Sequence, residues 1–355
     1  MSAYFAILSV PALFALLNDT RNVSGSLLFA AWLIFCAFVG LRWEVGTDWG
    51  NYQYIHALVG SGPFSDTLRD TEPASYMLFW LSTYFTGDML ISNVVAAIIL
   101  LTGIFSFARI TPQPWLAILS ATPYLIIVIG MTGIRQAMAV GIVLFALARW
   151  HRITMLKKVM YLLIASLFHT SALTNVLLIL LPMGRNLVTK AIMVIVFGGL
   201  AFTVTTSLQF YSDNIEFYQD AYLSNEDSIA SPGALMHVAL VWLPAALYLL
   251  FRHRLDPLIA NPRLMHMGSW LSICLLGLYF VSSTGASRMT LYFYFVPMMF
   301  YPAATNLLGP RNRLLAITLI LAFHFLLLFI WLFFANNAIA HIPYETIFSL
   351  SAANE

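Results

Sequence analysis

The chain has 355 residues, of which 61% are hydrophobic and 9% are charged, and its formal net charge is +2. A soluble domain of this length needs far more charge to cover its surface, so the composition excludes a soluble protein. It also indicates no nucleic-acid partner. Continuous apolar runs also exclude a transmembrane β-barrel, whose strands would alternate apolar and polar residues. We therefore predict an all-α, polytopic membrane protein with a single transmembrane domain over residues 1–355.

About ten runs along the chain are apolar and of membrane length, and each predicts a crossing helix. They cover residues 3–17, 24–41, 89–108, 115–130, 134–150, 187–209, 233–251, 264–282, 289–307 and 314–335. Two further apolar segments are irregular: 75–85 is too short for a hydrocarbon core about 30 Å thick, and 159–181 is interrupted at 168–171. We predict that both are re-entrant or broken helices rather than full crossings.

The distribution of charge predicts the orientation, because Lys and Arg collect in cytoplasmic connections. The basic connections are 149–158, 252–263 and 311–313, and the acidic ones, which we predict to be outer loops, are 42–74 and 211–232. Twelve crossings would place loop 42–74 and connection 149–158 on the same side. If residues 75–87 and 159–181 each dip in and return, the conflict disappears, with ten crossings and both termini outside.

Four arginines remain on the outer side, Arg42, Arg69, Arg135 and Arg288, and three of them lie in motifs that indicate a site. Arg42 begins the dense polar and aromatic knot 42–52, which directly follows an apolar run. Arg135 and Arg288 each follow glycine and small hydroxyl residues, and each is predicted to open a helix, where free N–H groups favour anions. Guanidinium groups match phosphate oxygens in pairs, so the three arginines form a predicted diphosphate site. Contact with lipid phosphates is the alternative.

Three ionisable side chains are predicted to work beside these arginines. His169 interrupts an apolar segment, and an imidazole suits proton transfer near neutral pH, although a core histidine bonded to a carbonyl is the alternative. Asp48 and Glu72 either accept a proton from a substrate hydroxyl or hold an arginine in place, and both alternatives stay open. Trp43 and Trp49 are expected to anchor at the membrane interface.

Several familiar kinds of site are not indicated. Cys36 and Cys274 both lie in apolar runs, so no disulfide and no cysteine metal site is expected. The chain has no P-loop, no HExxH motif and no acidic metal-binding motif, and we expect neither a cofactor nor a metal. Residues 343–345, after the last apolar run, are expected to return to the face that carries the 42–52 knot.

The polar stretches that carry these residues share a pattern with a known family. They are GLRWEVGTDWGNY at 40–52, EPASY at 72–76, IRQAMA at 134–139, FHTSA at 168–172 and SRMTLY at 287–292. Together they resemble the EpsG family of Wzy-like bacterial exopolysaccharide and O-antigen polymerases along nearly the whole chain. The resemblance implies a fold similar to GT-C glycosyltransferases, placed in the bacterial inner membrane with its active site facing the periplasm.

The resemblance also implies a reaction, the polymerisation of oligosaccharide repeat units linked to undecaprenyl diphosphate. One lipid-linked unit is the donor and another is the acceptor. Arg135 and Arg288 would stabilise the diphosphate leaving group with Arg42 as a third candidate, and His169 or Asp48 would receive the acceptor proton. Predicted substrate contacts are Glu72, Tyr52, Gln136, Tyr292 and Tyr344. Expected partners are membrane lipids and a chain-length regulator and flippase of the same pathway.

Three other functions stay open at this point. A flippase or transporter of lipid-linked glycans would need a charged path that reaches both faces of the membrane. A membrane acyltransferase acting on exported polysaccharide would use His169 and an acyl donor. A non-catalytic scaffold of a polysaccharide assembly complex is the third alternative. The unexplained charges gather on the outer side, which favours an enzyme over a transporter.

Overall fold

The computed structural model describes residues 1–17, 23–183 and 233–349, with the isolated positions 195 and 199. In those ranges the chain is helical, and its one isolated β-bridge joins Arg42 and Thr346. The α-helices are α1 (Ser2–Leu17), α2 (Gly25–Gly40), α3 (Trp49–Ser61), α4 (Phe64–Thr67), α5 (Pro73–Thr86), α6 (Leu90–Ala108), α7 (Pro114–Ala121), α8 (Gly130–Thr132), α9 (Ile134–Leu147), α10 (Met155–Phe168), α11 (Val176–Leu180), α12 (Ala234–Leu255), α13 (Pro262–Tyr279), α14 (Ser283–Thr290), α15 (Phe295–Asn306) and α16 (Pro310–Phe334).

Four continuous helical stretches in the described ranges are long and apolar enough to cross a membrane. They are Leu90–Ala108, Pro114–Thr132, Ala234–Leu258 and Pro310–Phe334. Helices α1, α2 and α9 are apolar but shorter, at 16, 16 and 14 residues. The all-α membrane class is confirmed, while ten crossings stay a prediction. Apart from positions 195 and 199, the predicted span 187–209 and the predicted loop 211–232 lie outside the described residues.

The predicted loop 42–74 is mostly helical, because it contains α3 and the short α4. Its polar and apolar residues are interspersed, so it has no continuous apolar run to reveal a helix. Helix α5 packs against α3 and forms a helical hairpin with it. The prediction that residues 75–87 dip in and return is wrong, since they form one unbroken helix. Pro73 begins it, and Gly87 ends it with a φ of 72°.

The second irregular segment is interrupted where the sequence predicted. Helix α10 ends at Phe168, and His169 has an extended backbone with a φ of -157°. A 3-10 helix, Thr170–Asn175, leads into α11, which lies back against α10. The interruption at 168–171 is therefore confirmed, and His169 lies where the chain turns.

Arg288 does not open a helix, so that prediction is wrong. The hydroxyl of Ser282 accepts a hydrogen bond from the Gly285 N–H at 3.1 Å and begins α14 at the next residue. Arg288 consequently lies in the last turn of α14. A 3-10 turn, Leu291–Phe293, then separates α14 from α15, so the predicted run 289–307 is not one helix.

Helices α6 and α9 pack closely through glycine. A Cβ on Gly103 would meet the Gly141 carbonyl oxygen at 2.1 Å, and a Cβ on Gly141 would meet that of Ile99 at 2.5 Å. Small residues of this kind let two apolar helices bring their backbones together. The beginning of α9 then joins α3, α5 and α6 in a small apolar cluster, which consists of Tyr52, Phe79, Met89, Ala96, Ile134 and Met138.

Residues 336–347, which we call the C-terminal strap, follow α16 and bind the chain just after α2. The backbone hydrogen bonds between them are Trp43 N to Glu345 O (3.0 Å), Gly46 N to Ala340 O (2.8 Å) and Ile347 N to Leu41 O (3.0 Å). The prediction that residues 343–345 return to the 42–52 knot is therefore confirmed. The strap fixes one edge of that knot.

Candidate active site

Glu72 is the centre of a buried ionic cluster. One carboxylate oxygen, Oε1, accepts from His169 Nδ1 at 2.5 Å and from the Thr170 N–H at 3.0 Å. The other, Oε2, accepts from Arg135 Nη1 at 2.8 Å. Only 2% of Glu72 is exposed. A single carboxylate thus joins the start of α5, the start of α9 and the end of α10.

The surroundings of Glu72 keep its carboxylate ionised. Burial alone would raise its pKa, but the His169 imidazole and the Arg135 guanidinium outweigh burial and lower the pKa of Glu72 to about 2. Of the two alternatives for Glu72, the structure shows the one in which it holds an arginine. Both of its oxygens bind protein groups, so the predicted direct contact of Glu72 with substrate is not supported.

His169 is oriented by this carboxylate. With Glu72 ionised, Nδ1 carries the proton that Glu72 accepts, so in the neutral imidazole Nε2 has the lone pair. Within the described ranges, Nε2 makes no hydrogen bond to the protein. A carboxylate that holds an imidazole in one tautomer is the arrangement that makes the second ring nitrogen a general base.

Arg135 lies in the first turn of α9, and 25% of its side chain is exposed. Besides its ion pair with Glu72, its guanidinium lies beside the hydroxyl of Tyr52. Burial raises the pKa of Tyr52, and Arg135 acts against that rise. Tyr52 is therefore buried behind the arginine, which places it as a support for Arg135 rather than an exposed substrate contact.

Asp48 and Arg288 complete the charged site. Asp48 precedes α3, and its pKa is raised by burial, while Arg288 and Arg135 both act to lower it. This mutual effect places all three charges around one space. Arg288 is exposed, and its carbonyl oxygen accepts a hydrogen bond from Gln136 Nε2 at 2.9 Å. Gln136 thus ties α9 to α14 through Nε2.

Arg42 does not belong to this site. Only 1% of the residue is exposed, and its guanidinium donates to the carbonyls of Val39 at 2.7 Å and Val45 at 3.2 Å. The Val39 carbonyl lies at the end of α2, where helix carbonyls lack partners along the helix. The predicted contact of Arg42 with diphosphate is therefore not supported, because the protein encloses the group that would make it.

Two predicted substrate-binding tyrosines also bind within the protein. Tyr292 is buried, and its hydroxyl shares a hydrogen bond with that of Ser171 at 2.9 Å. Tyr344 belongs to the C-terminal strap, and its hydroxyl donates to the Phe38 carbonyl at 2.8 Å. These bonds fix the turn after His169 and the strap, respectively, and leave neither hydroxyl directed to substrate.

The sequence did not reveal the seam that holds the 42–52 knot against the turn before Arg135. Gly46 has a φ of 118°, and a Cβ there would meet the Met131 carbonyl oxygen at 2.2 Å. The Thr47 hydroxyl donates to that of Thr132 at 3.2 Å. The two glycines of the knot, one of which is Gly46, were its only signal in the sequence.

A second polar contact near Arg288 also went unpredicted. His237 Nδ1 lies 2.7 Å from the hydroxyl of Ser287, and the His237 ring stacks on Tyr124 at a centroid distance of 4.1 Å. The described ranges contain no group of three or more His, Cys, Asp or Glu side chains that could hold a metal.

Comparison with known families gave one match that covers most of the chain. The model for the EpsG family matches residues 26–346, which include every site residue described above. Comparison with curated proteins and with solved structures gave no match.

Proposed function

Because the chain belongs to the EpsG family, we propose that it is a glycosyltransferase that polymerises oligosaccharide repeat units linked to undecaprenyl diphosphate. Family membership supports a membrane protein of the polysaccharide polymerase kind. The cluster around Glu72 supports the glycosyl-transfer reaction, since it joins an oriented histidine to an arginine beside a second, exposed arginine. We place this site at the periplasmic face of the bacterial inner membrane.

The proposed step is a direct displacement at a sugar carbon. The hydroxyl oxygen of the acceptor forms a bond to the anomeric carbon of the donor, and the bond from that carbon to the diphosphate oxygen breaks. The acceptor proton passes to Nε2 of His169, and Glu72 stabilises the resulting imidazolium through Nδ1. Asp48, with its raised pKa, is the second candidate for the base.

The diphosphate leaves with its bonding electrons and gains negative charge as it departs. Arg288 is exposed at the site, while Arg135 is held in place by Glu72. The first N–H groups of α9 add to the positive potential beside Arg135. Fixed positive groups of this kind lower the barrier for a step that develops negative charge, and the scheme calls on no metal ion.

The proposed substrates are a donor and an acceptor, both linked to undecaprenyl diphosphate and both drawn from the membrane. A chain-length regulator and a flippase of the same pathway are the proposed protein partners. Arg42 enters this proposal only as a structural residue, because its guanidinium closes the end of α2.

The test is polymer formation by the purified protein in liposomes that contain lipid-linked repeat units. Replacing Arg288, Arg135 or His169 by alanine should each lower the polymerisation rate by about 100-fold or more. Arg69→Ala is the matched control, since Arg69 is an exposed arginine whose salt bridge to Asp66 is 3.8 Å long. Unchanged polymer yield in Arg288→Ala would contradict the site, and lipid translocation without polymer would instead support a flippase.

A further inference from the structure

A cavity of about 220 Å³ lies between the α3–α5 hairpin and the start of α6, beside the charged site. Its lining includes Trp43, Trp49, Gln53, His56, Thr83 and Asp88. This volume is below the roughly 300–1,000 Å³ of sites for drug-sized ligands, so it suits a ligand of monosaccharide size. The cavity contains none of the residues that the reaction above uses.

Helix α3 connects the cavity to the charged site through two neighbouring stripes. Asp48 and Tyr52, four positions apart, share the stripe that faces Arg135. Trp49 and Gln53, one position further along, share the stripe that lines the cavity. A ligand in the cavity would therefore contact the face of α3 next to the one that carries Asp48 and Tyr52.

The cavity combines aromatic faces with polar groups that lack protein partners. Trp43 and Trp49 pack edge to face at 5.5 Å between ring centroids. The indole N–H of Trp49 is buried and has no hydrogen-bond partner in the part of the chain that the structure describes. One oxygen of Asp88 accepts from Thr86 and from the Leu90 N–H, which leaves the other for a ligand. Such indole and carboxylate groups suit the C–H faces and hydroxyls of a sugar.

Charge decides which sugars fit. Among the described residues no Lys or Arg lines the cavity, which therefore offers a phosphate or a uronic acid no cation from this part of the chain. Burial lowers the pKa of His56 to about 4, and its ring is held by the Tyr52 carbonyl and the Ser92 hydroxyl. Asp88 therefore supplies the one formal charge among the described residues of the lining, and it repels anions.

We propose that this cavity binds one neutral sugar ring of the oligosaccharide substrate, with Trp49, Gln53 and Asp88 as its contacts. The inference rests on the proposed function, because it identifies the oligosaccharide of that reaction as the ligand. It assigns Trp43 and Trp49 to sugar recognition instead of to the membrane interface. In this proposal the arginines bind the diphosphate at the adjacent face of α3.

The first readout is sugar binding by the full-length protein in nanodiscs, measured by saturation-transfer NMR. The probes are glucose, N-acetylglucosamine and glucuronic acid. A neutral probe should bind, glucuronic acid should not, and Trp49→Phe or Gln53→Ala should weaken binding by about tenfold. Asn51→Ala is the matched control, since it removes an amide from α3 outside the cavity lining.

The second readout is the apparent KM for lipid-linked repeat units, which Gln53→Ala should raise by about tenfold while kcat changes little. The inference is overturned if Gln53→Ala and Trp49→Phe change neither sugar binding nor KM. It is equally overturned if glucuronic acid binds as well as the neutral sugars do.

The two proposals fail in different ways. Polymer formed by the wild type, with cavity variants unchanged in KM and sugar binding, would overturn the sugar site and leave the polymerase. Sugar binding that depends on Trp49, in a protein that forms no polymer, would overturn the polymerase and leave the sugar site. Arg288→Ala should lose polymerisation and keep sugar binding, which separates the two sites within one variant.

Discussion

Arg42 and Arg135 occupy similar positions in the sequence and opposite ones in the structure. Each lies in a polar motif beside an apolar helix, Arg42 just after α2 and Arg135 in the first turn of α9. Arg42 is 1% exposed and donates to the carbonyls of Val39 and Val45. The side chain of Arg135 is 25% exposed and pairs with Glu72, which in turn holds His169.

The difference lies in what balances each positive charge. Two backbone carbonyls bind Nε and Nη1 of Arg42 at the end of α2, and its buried Nη2 has no hydrogen-bond partner among the described residues. A carboxylate binds Nη1 of Arg135, whose guanidinium also lies near the Tyr52 hydroxyl and, with Arg288, near Asp48. The carbonyls tie Arg42 to the end of α2, whereas the carboxylate ties Arg135 to the residue that also binds His169.

Glu72→Gln should have the largest effect, because this carboxylate is what distinguishes the two regions. The amide cannot carry the charge that holds Arg135 and stabilises the His169 imidazolium, so we expect polymerisation to fall by about 100-fold or more. The measurement is polymer formed by purified protein in liposomes. Glu44→Gln is the control, since Glu44 is an exposed carboxylate in the neighbouring knot. Wild-type activity in Glu72→Gln would contradict a role of the Glu72 charge in the reaction.

Lysine substitutions should affect kcat at Arg135 and the free energy of unfolding at Arg42. Arg135→Lys keeps the charge but loses the planar fork, and we expect kcat to fall by about tenfold with little change in thermal unfolding. Arg42→Lys cannot satisfy both carbonyls, so it should lower the free energy of unfolding by about 1–3 kcal/mol and leave kcat of the folded protein near wild type. If both variants lose kcat equally, Arg42 belongs to the site after all.

Acid should weaken the Glu72 region selectively. The pKa of Glu72 is lowered from 4.5 to about 2, so the stability it contributes is fully present above about pH 4.5. That contribution is lost as the pH falls from about 4.5 towards 2, because the carboxyl becomes protonated. We expect the difference in Tm between wild type and Glu72→Gln to shrink over this window in detergent. A difference that is independent of pH would refute the ion pair.

Tyr292→Phe should have the smallest effect. It removes the hydroxyl bonded to Ser171, and we expect a loss of about 0.5–1.5 kcal/mol in unfolding free energy. The KM for lipid-linked repeat units should stay at the wild-type value, because this hydroxyl binds protein. Kinetics of the purified variant would check this, and a raised KM would restore Tyr292 to the substrate contacts.

Residue chemistry predicted the site better than it predicted the elements that carry it. Glu72, Arg135 and His169 stand out because buried ionisable groups are costly among apolar residues, and the structure brings them into contact. The buried position of Arg42 could not be predicted from the sequence, since it depends on a carbonyl left unpaired at the end of α2.

The helix boundaries show the same limit. Helix α3 was hidden because its thirteen residues mix polar and apolar side chains without a membrane-length run. Arg288 was misplaced because Ser282 caps α14 earlier than the glycine suggested. Local capping and tertiary packing decided both cases, and neither has a strong signature in the sequence.

The C-terminal strap determines when the 42–52 knot can form all its backbone hydrogen bonds during synthesis. Residues 41–46 leave the ribosome early, but their hydrogen-bond partners at 340–347 are translated after α16. Gly46 packs against Met131, but the acceptor of its N–H, the Ala340 carbonyl, is synthesised only near the end of translation. The nascent chain therefore contains the whole 42–52 knot while one edge of that knot is still unpaired, and translation of the strap supplies its partners.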